Sequence, residues 1–308
     1  MASEIKVWVA GPNSNAGAKA REAEQVFRRV EAACTRFDPE SPLMRANRAG
    51  RRWHAVPREC TDAVAAAAEA YRTTGGLFDP RVLTVLQSYG YGSSLSFQDG
   101  PVRVSSVPIR RRPRIRFSGR SWRPGIDDAR SAVRIGPVPI DLGGIGKGLA
   151  VRWAIDVLRD AGRAVLVEAG GDCYACGGGL DGDGWAISVE NPFGGTDPVA
   201  VLALTDLAVA TSSTRLRSWT VDGRPVHHLI DPRTQEAAES RLASVTVVHA
   251  DPALAEVWSK ALFVAGRTRV RAVADRHGLA AMWVDLDGRV VRNRRMSRYV
   301  AWEAPRVP

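Results

Sequence analysis

Apolar and polar positions follow two rhythms along this chain. Ile5 to Val9 is a short β-rich run, and from Ala16 the spacing turns helical, with Phe27, Val30, Cys34 and Phe37 recurring at steps of three and four. A second helix is predicted from about Thr61, as N-cap, to Thr74, stopped by Gly75-Gly76. Val133 to Ile140 reads as a strand, which turns through Asp141-Leu142-Gly143-Gly144-Ile145-Gly146-Lys147-Gly148 into a helix. That helix carries Val151, Ala154, Ile155 and Leu158 on one face and ends at Gly162. Strands are then predicted at Ala164–Val167, Trp185–Val189, Val199–Leu204, Val226–Ile230 and Ser244–Val248. Asp251 as N-cap and Pro252 at the first helical position open a helix marked by Leu254, Val257, Trp258, Ala261 and Leu262, which stops at Gly266. A last helix near 268–277 precedes a hairpin with Asp287-Gly288 at its turn. Strands and helices do not alternate strictly enough for a doubly wound sheet, so the expected class is α+β, with mixed or antiparallel sheets packed against helices.

Composition narrows the picture only slightly. In 308 residues, 45% hydrophobic and 25% charged are ordinary globular values, which exclude a disordered tail, a collagen-like repeat and a disulfide scaffold. A formal net charge of +10 favours anionic partners without choosing among nucleotides, nucleic acid and acidic protein. Lysine occurs only at Lys6, Lys19, Lys147 and Lys260, every other cation being arginine, so each lysine invites the question of why arginine does not replace it. The first residues form no apolar targeting segment and no stretch reaches the roughly 18 apolar residues of a membrane span; a cytoplasmic protein without a membrane partner is expected. The chain is read as one domain over residues 1–308, with an Arg-rich loop or insertion near 96–127.

Several segments could carry chemistry. The glycines of Asp141–Gly148 at a strand-to-helix junction let backbone approach a ligand, and a helix N-terminus with Lys147 attracts phosphate. The segment fits neither a Walker A loop nor G-x-G-x-x-G, and its alternative reading is a tight turn with a surface lysine. Ala210-Thr211-Ser212-Ser213-Thr214 reads as a polar loop after an apolar strand. Adjacent His227 and His228 would face opposite ways on a strand, so only one points into a given site. Cys173 and Cys176 have C-x-x-C spacing without a second ligand pair for zinc, and read as small buried residues. Glu256 and Lys260, four apart on one helical face, read on their own as a surface pair worth ~0.3–0.5 kcal/mol. Arg110 to Arg116 matches no nucleic-acid motif, and no specific nucleic-acid partner is expected.

In their order, these segments resemble the ApbE family, the FAD:protein FMN transferases. The resemblance rests on Arg36-Phe37-Asp38-Pro39 with Ser41 and Asn47, on Gly75 to Pro80, and on Asp141 to Gly148. It continues through Gly170-Gly171-Asp172, Trp185 to Pro192, Ala210 to Ser213 and His228 to Thr234. It implies a mixed α+β fold and transfer of FMN from FAD to a Thr or Ser hydroxyl of an acceptor flavoprotein, with release of AMP. It also implies catalytic roles for His228, Asp141 and Lys147. FAD contacts are implied for Phe78, Asp79, Asp141, Gly143, Gly144, Lys147, Thr211, Ser212, Ser213, His228 and Ile230. The family's Mg²⁺ ligands would fall on Gly144 and on the positions of Glu256 and Lys260, and Ser259 beside them is the hydroxyl that could complete a metal set with Gly144 and Glu256.

The chain departs from the family pattern at that metal-binding helix. Glu256 stands for the usual Asp and Lys260 for the usual Thr, while Ser213 and Gln235 stand where the pattern has Gly. Lysine offers Mg²⁺ no oxygen. Two readings follow. Either Glu256, Ser259 and Gly144 still hold a metal in a transferase or FAD pyrophosphatase, or Lys260 takes the vacated place in a slow enzyme or an FAD-binding protein with little or no turnover.

Overall fold

The computed structural model describes residues 4–97, 102–108 and 121–304. The chain divides into two compact units, the first made of Met1–Arg28, Lys147–Arg215 and Ser240–Pro308, the second of Arg29–Gly146 and Leu216–Glu239. The Arg110 to Arg116 cluster lies outside the described residues.

The first unit is built on a seven-stranded sheet. Its strands are β1 (Ile5–Ala10), β2 (Ala164–Ala169), β3 (Asp172–Cys176), β4 (Leu207–Ser213), β5 (Leu242–His249), β6 (Ala280–Asp285) and β7 (Val290–Arg292). They lie side by side in this order, and every neighbouring pair is antiparallel. Between β2 and β3 the chain reverses through Gly170 and Gly171 alone. Both have positive φ, 61° and 89°, which a two-residue hairpin turn requires and a side chain resists. The turn sets Ala169 opposite Asp172 and so fixes Asp172 at the head of β3.

Helix α6 (Pro252–Ala265) lies on β4 and β5 and is buried on every face except at Leu254 and Lys260. Its ends are those the sequence predicts: Asp251 caps the start and Gly266 closes the end. Helix α5 (Gly146–Leu158) precedes β2. A three-stranded sheet of Trp185–Val189, Ala200–Leu204 and Val300–Glu303 completes the unit, with Trp185, Val189, Leu202 and Leu204 joining Val209, Met282 and Val284 in one apolar core.

The second unit holds helices α2 (Pro42–Ala49), α3 (Arg58–Thr73) and α4 (Leu83–Ser88) and short strands. Its aromatic core joins Tyr91, Trp219, Val221, Val226 and Ile230. Helix α1 (Ala16–Cys34) begins in the first unit and ends in the second. Three sequence boundaries move. Helix α3 starts at Arg58, one turn before Thr61, because Pro57 with φ −57° already stands in the capping position. The strand expected over Val133–Ile140 is confined to Ala132–Arg134, since Pro137 and Pro139 have no N–H for a ladder. The strand expected over Val226–Ile230 is two, Arg224–His227 and Ile230–Asp231, with different partners.

The antiparallel sheets and packed helices give the α+β class expected. Among the described residues no helix is long and apolar enough to cross a membrane.

Candidate functional site

Helices α5 and α6 are pinned together at their first turns. Asp251 Oδ1 accepts the N–H groups of Ala253 at 2.8 Å and Leu254 at 3.2 Å, and the same carboxylate pairs with Arg152 of α5. A Cβ at Gly148 would lie 2.5 Å from the Pro252 carbonyl oxygen and 2.6 Å from Ala253 Cα. The glycine read from sequence as an approach for a ligand is thus required here by helix packing.

This packing builds a charged centre inside the first unit. Glu256 is 1% exposed. Its Oε2 accepts the Gly148 N–H at 2.9 Å, and its Oε1 lies 2.8 Å from Lys147 Nζ and 3.6 Å from Lys260 Nζ. Lys147 also donates to Asp172 Oδ2, and Asp172 Oδ1 accepts the Thr211 N–H at 3.1 Å. Burial pushes the Glu256 carboxyl up, but Lys147, then Lys260, with the hydrogen bonds from Lys147 and Gly148, outweigh it and hold the group below the usual carboxylate value. The surface-pair reading of Glu256 and Lys260 is corrected: a buried carboxylate takes two of the chain's four lysines.

The hydroxyl run is no loop. Strand β4 continues to Ser213 because its side chains find partners: Thr211 Oγ1 meets Thr246 Oγ1 of β5 at 2.9 Å, and Ser212 Oγ meets Ser259 Oγ of α6 at 2.8 Å. Ser213 Oγ accepts the Arg215 N–H at 3.1 Å and sits at ordinary strand angles without the glycine of the family pattern. Cys173 is buried in β3, its thiol pushed up to about 12 by burial and then by Asp172 and Glu168, so it is an inert packing residue as expected.

The other expected residues belong to the second unit. Asp141 Oδ1 meets Arg36 Nη1 at 3.0 Å, and Oδ2 accepts the Gly143 N–H at 3.2 Å. Arg36 is stacked over Phe37 and Tyr91, its guanidinium carbon 4.4 Å and 4.3 Å from their ring centres. Gly144 is buried in the turn that the Gly146 N–H closes on Leu142 O at 2.8 Å. Phe78 is buried, and the Asp79 carboxylate is held by a fork from Arg81, at 3.0 Å from Nε and 2.7 Å from Nη2. This ion pair shapes the turn at Asp79. Ile230 is a core residue.

The strand ends at His227 and His228 lies beyond it, so strand alternation does not orient the pair as expected. His227 is mostly buried; its Nδ1 accepts the Leu229 N–H at 3.3 Å and its Nε2 faces Ala238 O at 3.2 Å, which assigns a neutral ring protonated on Nε2. Burial lowers its pKa, against the hydrogen bond to Ala238. His228 faces Arg217 O through Nδ1 at 3.3 Å, which assigns that nitrogen as donor.

Mg²⁺ requires several oxygen ligands near 2.0–2.1 Å. Both Glu256 oxygens are engaged by ammonium and amide donors, and Ser259 Oγ donates to Glu256 O at 3.0 Å. Two ammonium groups, those of Lys147 and Lys260, lie against Glu256 Oε1. Glu256, Ser259 and Lys260 do not fit Mg²⁺, and among the described residues no group of three or more His, Cys, Asp or Glu is placed to hold a metal. Sequence reading also omitted Asp172 and Arg36 from the site; their signals were the Gly-Gly turn before one and the aromatic after the other.

A fold of this kind is that of the solved flavin transferases. The structure of an ApbE protein from Thermotoga maritima superposes with a TM-score of 0.81 over 96% of both chains, at 26% identity. The flavin transferase ApbE from Vibrio cholerae gives 0.73 at 20% identity, over 96% of this chain and 99% of that one. The ApbE family profile matches residues 1–283, and the chain belongs to the ApbE family. An FAD:protein FMN transferase from Haemophilus influenzae is 27% identical over 274 residues, 84% of this chain and 76% of its own length. One from Salmonella typhimurium is 29% identical over 151 residues, which cover 48% of this chain and only 43% of that relative's length.

Proposed function

We propose that this chain is an FAD:protein FMN transferase. An acceptor Ser or Thr oxygen bonds to the FMN-side phosphorus of FAD, the pyrophosphate P–O bond breaks, and AMP leaves with that bond's electrons. His228 takes the hydroxyl proton through Nε2, a task worth ~10²–10⁴-fold in such reactions. In the second unit Asp141, with Gly143 and Gly144 as its backbone neighbours, carries over the family's nucleotide contact; in the first unit Thr211, Ser212, Ser213 and Lys147 carry over theirs. Fixed positive charge for the phosphates is supplied by lysine, since the residues of the helix do not fit Mg²⁺.

The single observation behind this reading is the match to the Haemophilus influenzae transferase across most of both chains. A second reading, hydrolysis of FAD by water or binding without turnover, is favoured by the altered α6 cluster alone. Incubation with FAD, with and without a set of synthetic Ser/Thr peptides, separates them by chromatography of AMP and mass spectrometry of the peptides. Flavinylated peptide with matching AMP supports transfer; AMP with free FMN only supports hydrolysis; bound FAD without AMP supports binding alone.

A further inference from the structure

Glu256 and Asp172 bring two negative charges to the centre of the first unit, and Lys147 contacts both. One lysine cannot neutralise two carboxylates. Lys260 supplies the missing charge, at an ion-pair separation of 3.6 Å from Glu256 Oε1 rather than the hydrogen-bond distance of 2.8 Å that Lys147 makes. Its side chain is 21% exposed where that of Glu256 is 1% exposed, and it is one of only two residues of α6 that are not buried. The ammonium is therefore tethered to the buried carboxylate yet reaches the accessible edge of the helix. Arginine, the usual cation of this chain, would bring a wide planar fork; lysine brings a compact charge with three donors.

We propose that the Lys260 ammonium replaces a divalent cation in this chain: it completes the charge balance of Glu256 and Asp172, so that no anionic cluster repels the dinucleotide, and turns ammonium N–H donors toward one of its phosphates, so that FAD binds without Mg²⁺. The inference rests on the FAD reading above. With Lys260 in place a dication would be repelled by a neighbouring ammonium. With a neutral residue there, the two carboxylates and Lys147 leave one negative charge, which a cation would fill.

The test is titration of the full chain with FAD, read by flavin fluorescence, in EDTA and in millimolar Mg²⁺, for the unmodified protein, Lys260→Thr and Lys260→Met. Mn²⁺ alone is titrated in parallel and read by electron paramagnetic resonance, and circular dichroism identifies which variants are folded. The expected result is equal FAD affinity of the unmodified protein in both media, with no bound Mn²⁺. A folded Lys260→Thr or Lys260→Met should lose about tenfold in affinity in EDTA, and Lys260→Thr should recover it in Mg²⁺ while binding Mn²⁺; tenfold corresponds to about 1.4 kcal/mol. If FAD binds the unmodified protein but requires Mg²⁺, or if neither variant weakens binding in EDTA, the Lys260 role is overturned and the flavin reading stands. Absence of FAD binding in both media overturns both.

Discussion

Glu256 Oε2 accepts the backbone N–H of Gly148 at 2.9 Å, so a carboxylate from the middle of α6 caps the first turn of α5. The same carboxylate carries Lys147 and Lys260 on its other oxygen. Removing one partner from a buried ion pair leaves an uncompensated charge, which costs about 3–5 kcal/mol. Glu256→Gln should therefore lose that amount in urea unfolding. Glu256→Gln combined with Lys260→Met should lose less than the sum of the two single losses, because the pair is coupled.

The same residue sets an acid limit. Its folded carboxyl lies below the usual value, whereas an unfolded glutamate titrates near pH 4.3. Between the two the unfolded chain binds more protons, so stability rises with pH there. The contribution is complete above about pH 4.3 and is lost as pH falls through the folded value. Melting temperatures measured from pH 3 to pH 7 should show a shallower acid limb for Glu256→Gln than for the unmodified protein.

The neighbouring histidines should separate stability from chemistry. His227 has a lowered pKa, so protonation of the unfolded chain near pH 6.5 draws stability down as pH falls below that value. His227→Gln should flatten this region of the stability curve. His228→Ala should reduce AMP release by about 10²–10⁴-fold with FAD affinity largely kept. An equal loss of AMP release from His227→Ala would remove the assignment of His228.

Gly148→Ala tests the helix contact. Its Cβ would stand 2.5 Å from the Pro252 carbonyl oxygen, and backbone cannot yield as a flexible side chain does. Overpacking of this kind costs about 1–3 kcal/mol. Chemical denaturation should show that loss, with a further weakening of FAD binding as Lys147 shifts.

Gln235 occupies a left-handed position, φ 58°, where the family pattern has Gly. The strain for a side-chain-bearing residue is about 1–2 kcal/mol, and the extra flexibility of unfolded glycine offsets about 0.5–1 kcal/mol of its relief. Gln235→Gly should raise stability by about 0.5–1 kcal/mol in the same assay.

Local chemistry was legible in the sequence wherever neighbours in the chain decide it. Asp251, Pro252 and Gly266 delimit α6 because capping depends on residues a few positions apart. The fate of Ala210 to Ser213 was not legible, since those hydroxyls belong to a strand only through Thr246 and Ser259, more than thirty residues away in sequence. Glu256 misled for the same reason. Its spacing from Lys260 shows a helical pair, but its burial depends on Lys147 and Gly148, more than a hundred residues earlier. The ordered motifs identified the family, while the pairing of Asp79 with Arg81, two positions on, is a local contact that the motif spacing alone does not show.

The order of strands in the seven-stranded sheet has a consequence during synthesis. β1 is made well before its ladder partner, which begins with Ala164, and Ile5 pairs with Ala169. At about 5–20 residues per second, a ribosome takes roughly 8–33 seconds to cover that separation. For that interval the nascent β1 has its pairing groups unmet, and ribosome-bound chains halted before residue 164 should be selectively captured by holdase chaperones through Ile5–Ala10, a liability that the finished sheet only halves, because β1 stands at its edge and pairs on the side of β2 alone.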